Sequence, residues 1–193
     1  MKHLVVYGHP NPKSFSHAIL NTFVERLREK KHEVRVRDLY DLHFDPCLKG
    51  SELALLEKGQ VPKDIQSEQE HVRWADIVTF IYPLWWTGLP AILKGYLDRV
   101  FSQGFAYIDS EKGPKGLLPG KKIFMMTPMG APEKVYADMG IFKSMNQVID
   151  ESLTGFCGMT AVGHKYFGQV SAVSQEARAE MLEEVKRLAD SLA

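Results

Sequence analysis

Short, strongly apolar runs alternate along this chain with longer amphipathic segments, and this alternation restricts its fold more than any other feature. Leu4-Val5-Val6-Tyr7 and Ile77-Val78-Thr79-Phe80-Ile81-Tyr82 are too short for buried helices and too continuously apolar for strands with one wet face. They read as strands covered on both sides. Val34 and Val36, alternating with Arg35 and Arg37, make another strand ending near Asp38-Leu39; Lys121–Thr127 is the fourth. Thr160–Val162 and Tyr166-Phe167 belong to the last. Between them the period becomes helical. Ile19, Leu20, Phe23, Val24 and Leu27 share one face, and a helix runs from about Ile65 to Trp74. Pro90 opens a helix with Ile92, Leu93, Tyr96, Leu97, Val100 and Phe101 on its apolar side. Another covers about Phe142–Leu153, and the last starts at Ser174, an N-cap, with Glu176 in its first turn. Strands separated by helices require crossover connections, hence one parallel sheet with helices on both faces. Asp41–Lys63, with Pro46, Gly50, Gly59 and Pro62, reads as an inserted surface excursion carrying a short helix at Ser51–Glu57.

Composition narrows the function. The 193 residues suit one domain, and 45% hydrophobic with 25% charged residues is an ordinary globular balance. Lys+Arg and Asp+Glu both number 24, so there is no basic excess for nucleic acid and no acidic excess of the kind carried by small electron-transfer proteins. The N-terminal apolar run is too short for a signal peptide, and no stretch is long enough to span a membrane. Two distant cysteines, Cys47 and Cys157, are in no metal-ligand spacing, so no metal site is expected and a reduced, cytoplasmic protein is.

In a doubly wound sheet, ligands sit beyond the carboxyl ends of the strands. The loop after the first strand, Gly8-His9-Pro10-Asn11-Pro12-Lys13-Ser14-Phe15-Ser16, has no GxGxxG pattern, but offers hydroxyls, a lysine and helix N-terminal amides, a set suited to phosphate. A capped helix explains Ser14 or Ser16 equally well. The loop Pro83-Leu84-Trp85-Trp86-Thr87-Gly88-Leu89-Pro90 places two tryptophans between prolines, as a wall for a flat aromatic ligand, or as one core residue and one partner contact. Thr127-Pro128-Met129-Gly130-Ala131-Pro132 brings backbone close to whatever lies there, and Tyr136 follows. His3, His32, His43, His71 and His164 have no evident partner in sequence and read as surface or structural; Met125-Met126 reads as core.

The segments Gly8-His9-Pro10, Ser14-Phe15-Ser16, Pro83-Leu84-Trp85-Trp86, Leu89–Phe101 (LPAILKGYLDRVF), Gly104-Phe105-Ala106-Tyr107 and Phe156-Cys157-Gly158 resemble the NAD(P)H:quinone oxidoreductases, nearly end to end and in the shorter bacterial form. The resemblance implies a flavodoxin-like fold with a five-stranded parallel sheet. It implies two-electron reduction of quinones, or of nitro or azo compounds, by NAD(P)H. The flavin would be FAD, on the strength of the long Asp41–Lys63 excursion, with FMN as the alternative. The protein would be a homodimer. Position by position, His9, Lys13, Ser14, Phe15 and Ser16 would hold the phosphate and ribityl region. Pro83, Leu84, Trp85, Trp86 and Thr87 would edge the ring, and Thr127, Pro128, Met129, Gly130 and Tyr136 would face its pyrimidine end. Ala106, Tyr107, Ile108 and Phe142 would bound the substrate pocket, Tyr107 from a partner subunit. Tyr136, Trp86 and Gly130 are the candidate catalytic residues, with backbone donors at Met129 and Gly130 meeting the charge of the reduced ring. The mammalian-type enzymes pair the tyrosine with a histidine six residues on; here that position is Phe142, so no tyrosine–histidine relay is expected. A flavin-binding regulatory subunit of a potassium-efflux system and a one-electron carrier are the alternative roles.

Overall fold

A computed structural model describes residues 1–192. Its main sheet contains β1 (Lys2–Tyr7), β2 (Glu33–Asp38), β3 (Ile77–Ile81), β6 (Lys122–Pro128) and β7 (Thr160–Phe167). The spatial order is β2-β1-β3-β6-β7, and every pairing is parallel. Two short strands, β4 (Tyr107–Ile108) and β5 (Lys115–Gly116), form an antiparallel ribbon outside it. The helices are α1 (Phe15–Glu29), α2 (Gly50–Leu56), α3 (Lys63–Trp74), α4 (Ala91–Val100), α5 (Glu133–Asp138), α6 (Ile141–Met145), α7 (Leu153–Cys157) and α8 (Gln175–Ser191). The order reverses direction between β1 and β3, which makes the carboxyl ends of these two strands the topological switch point.

Each face of the sheet carries its own core, as continuously apolar strands demand. Val5, Tyr7, Ile77, Ile81, Phe124 and Met126 pack under α1 and α8. Leu4, Val6, Val78, Phe80, Tyr82 and Met125 pack under α3 and α4. The caps expected at Ser14 and Ser174 are present: each side chain accepts the backbone N–H three residues on, at 3.2 Å.

The 41–63 excursion is held tightly. Arg99 on α4, 3% exposed, makes a two-bond pair with Glu52 (3.0 and 2.6 Å) and also donates to Asp64 (2.9 Å) and the Asp45 carbonyl (2.6 Å). Gly95 lets the excursion lie directly on α4, since a Cβ there would stand 2.1 Å from the Pro46 carbonyl oxygen.

The helix expected over 142–153 is instead three pieces: α6, a π-helix from Asn146 to Ser152, and α7. Apolar spacing does not distinguish an α-turn from a π-turn, yet the wider turn changes which side chains face β7. The last strand is one continuous strand, with an irregularity opposite Ile123 and Phe124 next to Gly163.

Candidate functional site

The loops after β1, β3 and β6 converge at the carboxyl edge on a pocket of about 360 Å³. Its wall comprises His9, Ser14, Phe15, Ser16, Pro83, Leu84, Trp85, Pro128, Met129 and Gly130, all expected from sequence, together with Val170 and Ser171. The last two, from the β7–α8 connection, were not anticipated. Gly168, directly after the strand, was the one signal that chain turns back there.

Helix geometry equips one side of the pocket for an anion. The Ser14 cap satisfies the N–H groups of His17 and Ala18, which leaves those of Phe15 and Ser16 without an acceptor among the described residues. His9 Nδ1 accepts the Asn11 N–H at 3.0 Å, so the ring proton sits on Nε2; burial keeps its pKa below the ordinary value. Lys13, expected at this site, does not line the pocket; its backbone N–H donates to Asn11 Oδ1 (2.8 Å).

The walls are tied together through the backbone. The Leu84 N–H donates to the Pro128 carbonyl at 2.9 Å. The Met129 N–H donates to the Phe167 carbonyl at 2.8 Å, and the Met129 carbonyl accepts from Val170 at 3.2 Å. This corrects one expectation: the Met129 donor is committed to the sheet and cannot serve a ligand, so the role falls to Gly130. Gly130 lines the pocket, and a Cβ there would meet nothing within 4 Å.

The tryptophans separate. Trp85 lies on the wall, its ring 5.8 Å from that of His9. Trp86 is 100% exposed and touches no part of its own chain's pocket. It and Thr87 occupy a two-residue turn between Trp85 and Gly88, closed by the Gly88 N–H to the Trp85 carbonyl at 3.0 Å, with φ of 51° and 56°. Such turns favour Asn-Gly; a bulky and then a β-branched residue there cost about 1–3 kcal/mol each. Strain without burial in return is characteristic of residues held for a ligand or partner.

Six further expected residues, Tyr136 and Thr127 among them, lie outside this pocket wall. Ala106 is wholly buried in its own core, where its carbonyl accepts the Leu117 N–H, so its side chain cannot reach a substrate. Tyr107 packs edge-on against Phe156 (4.5 Å) and lines a separate groove of about 660 Å³; Ile108 is exposed on the ribbon. Phe142 stacks on Tyr166 at 4.4 Å, with Tyr136 tilted against it at 5.7 Å. Thr127 is fully buried, and its hydroxyl faces away from the pocket toward β7.

There the structure holds a cluster that reading along the chain did not find. His164, with its side chain 1% exposed, lies between Thr127 and Asp150: Nε2 is 2.8 Å from Thr127 Oγ1, and Nδ1 is 3.0 Å from Asp150 Oδ1. A carboxylate only accepts, so Nδ1 carries a proton; when Nε2 carries none, it accepts from the threonine hydroxyl. The Tyr166 hydroxyl is 3.0 Å from Nδ1. With its NH2 turned toward that hydroxyl (2.7 Å), Asn146 also donates to Asp150 Oδ2 (3.3 Å) and the Phe142 carbonyl (3.2 Å). Burial, then the Asp150 charge, pushes the Tyr166 phenol well above its ordinary pKa and keeps it neutral.

Residues 1–189 match the family model for the flavodoxin-like fold. An uncharacterized NAD(P)H oxidoreductase of Haemophilus influenzae is 40% identical over 184 residues, covering 95% of this chain and 91% of that protein. The chain belongs to the flavodoxin-like NAD(P)H:quinone oxidoreductase family. NAD(P)H dehydrogenase (quinone) 1 of Rattus norvegicus is 29% identical over 204 residues, covering 95% of this chain and 74% of the rat enzyme. The solved NAD(P)H:quinone oxidoreductase from Methanothermobacter marburgensis superposes with a TM-score of 0.90 at 31% identity, covering 100% of this chain and 99% of the other. Membership of the flavodoxin-like oxidoreductase family implies a flavin, and the residues here fit one. Two open helix amides suit its phosphate, an aromatic wall suits its ring, and space stands open beside Gly130. Among the described residues no His, Cys, Asp and Glu group is arranged to hold a metal, and no helix is long and apolar enough to cross a membrane.

Proposed function

We propose that this protein is a flavin-dependent reductase that takes hydride from NAD(P)H and delivers it to a quinone or a related nitro or azo acceptor. The observation that carries this reading is the convergence of three strand-end loops on one pocket at the switch point, with an anion-binding helix terminus on one side and an open glycine on the other. A bound flavin supplies the hydride acceptor and donor. The protein's residues do the rest. The Phe15 and Ser16 amides would hold its phosphate. Pro83, Leu84 and Trp85 would bound its ring, and the Gly130 N–H would offer a donor for the negative charge it gains on reduction. Donor and acceptor use the remaining space in turn, so the exchange is ping-pong.

We assign FAD, with FMN the alternative, because the excursion clamped by Arg99 is the feature shared with the longer, FAD-using members. The assembly we propose is a homodimer. Leu53, Met139, Val148 and Phe156 are exposed around two adjoining grooves, about 660 and 690 Å³, that share Leu89, Lys94, Val148 and Ile149. An apolar face of this extent marks an interface. Two copies joined there would bring Tyr107 and the projecting Trp86 toward each other's pockets, where neither reaches within its own chain. The unpaired cysteines support a reducing, cytoplasmic location.

The test is the absorbance spectrum and mass of the cofactor released from purified protein, followed by anaerobic reduction with NADH or NADPH and reoxidation by a naphthoquinone. A flavin that is bleached by the nucleotide and restored by the quinone is expected. A protein that binds neither FAD nor FMN would overturn the reading; release of FMN would overturn the FAD assignment alone.

A further inference from the structure

The pocket wall holds no Lys, Arg, Asp or Glu among the described residues, and burial lowers the pKa of its one imidazole, His9. A hydride nevertheless brings one negative charge with it. Backbone donors can meet part of that charge, but the Met129 N–H is already bonded to Phe167. On the far side of the β6 loop stands the enclosed imidazole of His164. It is joined to the loop by the Thr127 hydroxyl and held from behind by Asp150. We infer that His164, oriented by Asp150 and acting through Thr127, is a positioning residue that takes up one proton when negative charge enters the pocket; the inference rests on the flavin reading above.

The hydrogen-bond chemistry fits this role. With His164 neutral, Nδ1–H donates to Asp150 and Thr127 O–H donates to Nε2. When a proton from solvent reaches Nε2, the Nε2–H becomes the donor and the threonine oxygen the acceptor. The hydroxyl hydrogen is then free to turn toward another acceptor beside the loop. One proton leaves solvent, one imidazole nitrogen gains it, and no bond between heavy atoms changes. The positive charge so formed offsets the negative charge in the pocket, while Asp150 stabilises the imidazolium.

The groups facing His164 leave this part to it. Asp150 comes from the π-helix, Tyr166 from β7 itself and Tyr82 from the end of β3, its ring 6.3 Å away. Both phenols are held protonated by burial, and Asn146 and Thr127 do not titrate. The π-helix is part of the device, because its wide turn carries Asn146 and Asp150 toward the same imidazole–phenol pair. Single π-turns within helices are frequent at functional sites.

The test is the midpoint potential of the bound flavin as a function of pH, with 15N shifts of the His164 ring measured in the oxidised and reduced protein. In wild type the reduced protein should hold the His164 proton about tenfold more tightly than the oxidised, the coupling of two unit charges roughly 12 Å apart at an effective dielectric of ~20. The potential should then bend with pH where the two redox states differ in proton uptake. His164→Gln should remove the bend, and Asp150→Asn should move it to lower pH. Thr127→Val should weaken the coupling, and Thr127→Ser should restore it. Parallel potential curves for wild type and His164→Gln, or one His164 titration curve for both redox states, would refute the role. If His164→Gln does not fold, the wild-type 15N titration decides by itself. A wild-type protein that binds no flavin overturns the underlying reading, and this inference with it.

Discussion

His3 should make the stability of this protein fall as the medium is acidified from neutrality, well before its surface carboxylates titrate. The residue lies on β1, paired on either side with Val34 and Ile77; its ring is fully buried, and neither nitrogen has a hydrogen-bond partner among the described residues. Burial, followed by the His32 ring and the terminal ammonium, lowers its pKa from 6.5 to about 4, with Asp76 acting weakly in the opposite direction. The unfolded chain therefore binds this proton between those two values while the folded chain does not. Stability from the neutral ring is complete above the unfolded value, declines as pH falls below it, and is fully lost below about 4. At ~1.4 kcal/mol for each tenfold difference in proton affinity, the whole effect is about 3 kcal/mol, most of it expressed near pH ~4.5. Urea unfolding of wild type and His3→Leu at about pH 7.5 and 4.5, with added flavin held constant, measures it. The variant should gain about 2–3 kcal/mol on wild type between the two conditions, whatever its offset at neutral pH. Equal pH dependence in both proteins would mean that the ring is hydrated or protonated in the fold, and the argument would fail.

Arg99→Met should cost about 3–5 kcal/mol, because Glu52 is left as a buried carboxylate without its counter-charge; urea unfolding reads the loss, and limited proteolysis should show cleavage within residues 41–63 first. Gly130→Val should leave the thermal midpoint of the flavin-free protein unchanged, since a Cβ there meets no protein atom, yet weaken flavin binding by at least about tenfold by filling the pocket and displacing its backbone donor, the equivalent of ~1.4 kcal/mol. Fluorescence titration with flavin checks it, and unaltered affinity would remove Gly130 from the site. Tyr107→Ala should raise the KM for quinone about fivefold with little change in kcat, from ~1 kcal/mol of aromatic stacking; steady-state kinetics at concentrations above and below dimer dissociation would show whether the ring acts from the second subunit.

Much of this molecule is local and could therefore be read along the chain. Strand, helix and cap follow from residues at most a few positions apart: the runs at Leu4–Tyr7 and Ile77–Ile81, the face from Ile19 to Leu27, the hydroxyls of Ser14 and Ser174. Strand-end loops in a parallel sheet must meet at one edge, so ten of the residues lining the pocket were identifiable before any coordinate. What could not be read depends on register and on how backbone bonds are used. Met129 differs from Gly130 only because its N–H lies opposite the Phe167 carbonyl once β6 and β7 are paired. Ala106 resembles a pocket residue in sequence and is core in space. His164, Asp150 and Thr127 are separated by 14 and 37 positions along the chain from the histidine. They meet because β7 lies beside β6 and the helix after it takes a π-turn, a choice between two hydrogen-bond ladders that tertiary packing makes and that a 3.6-residue apolar period cannot encode.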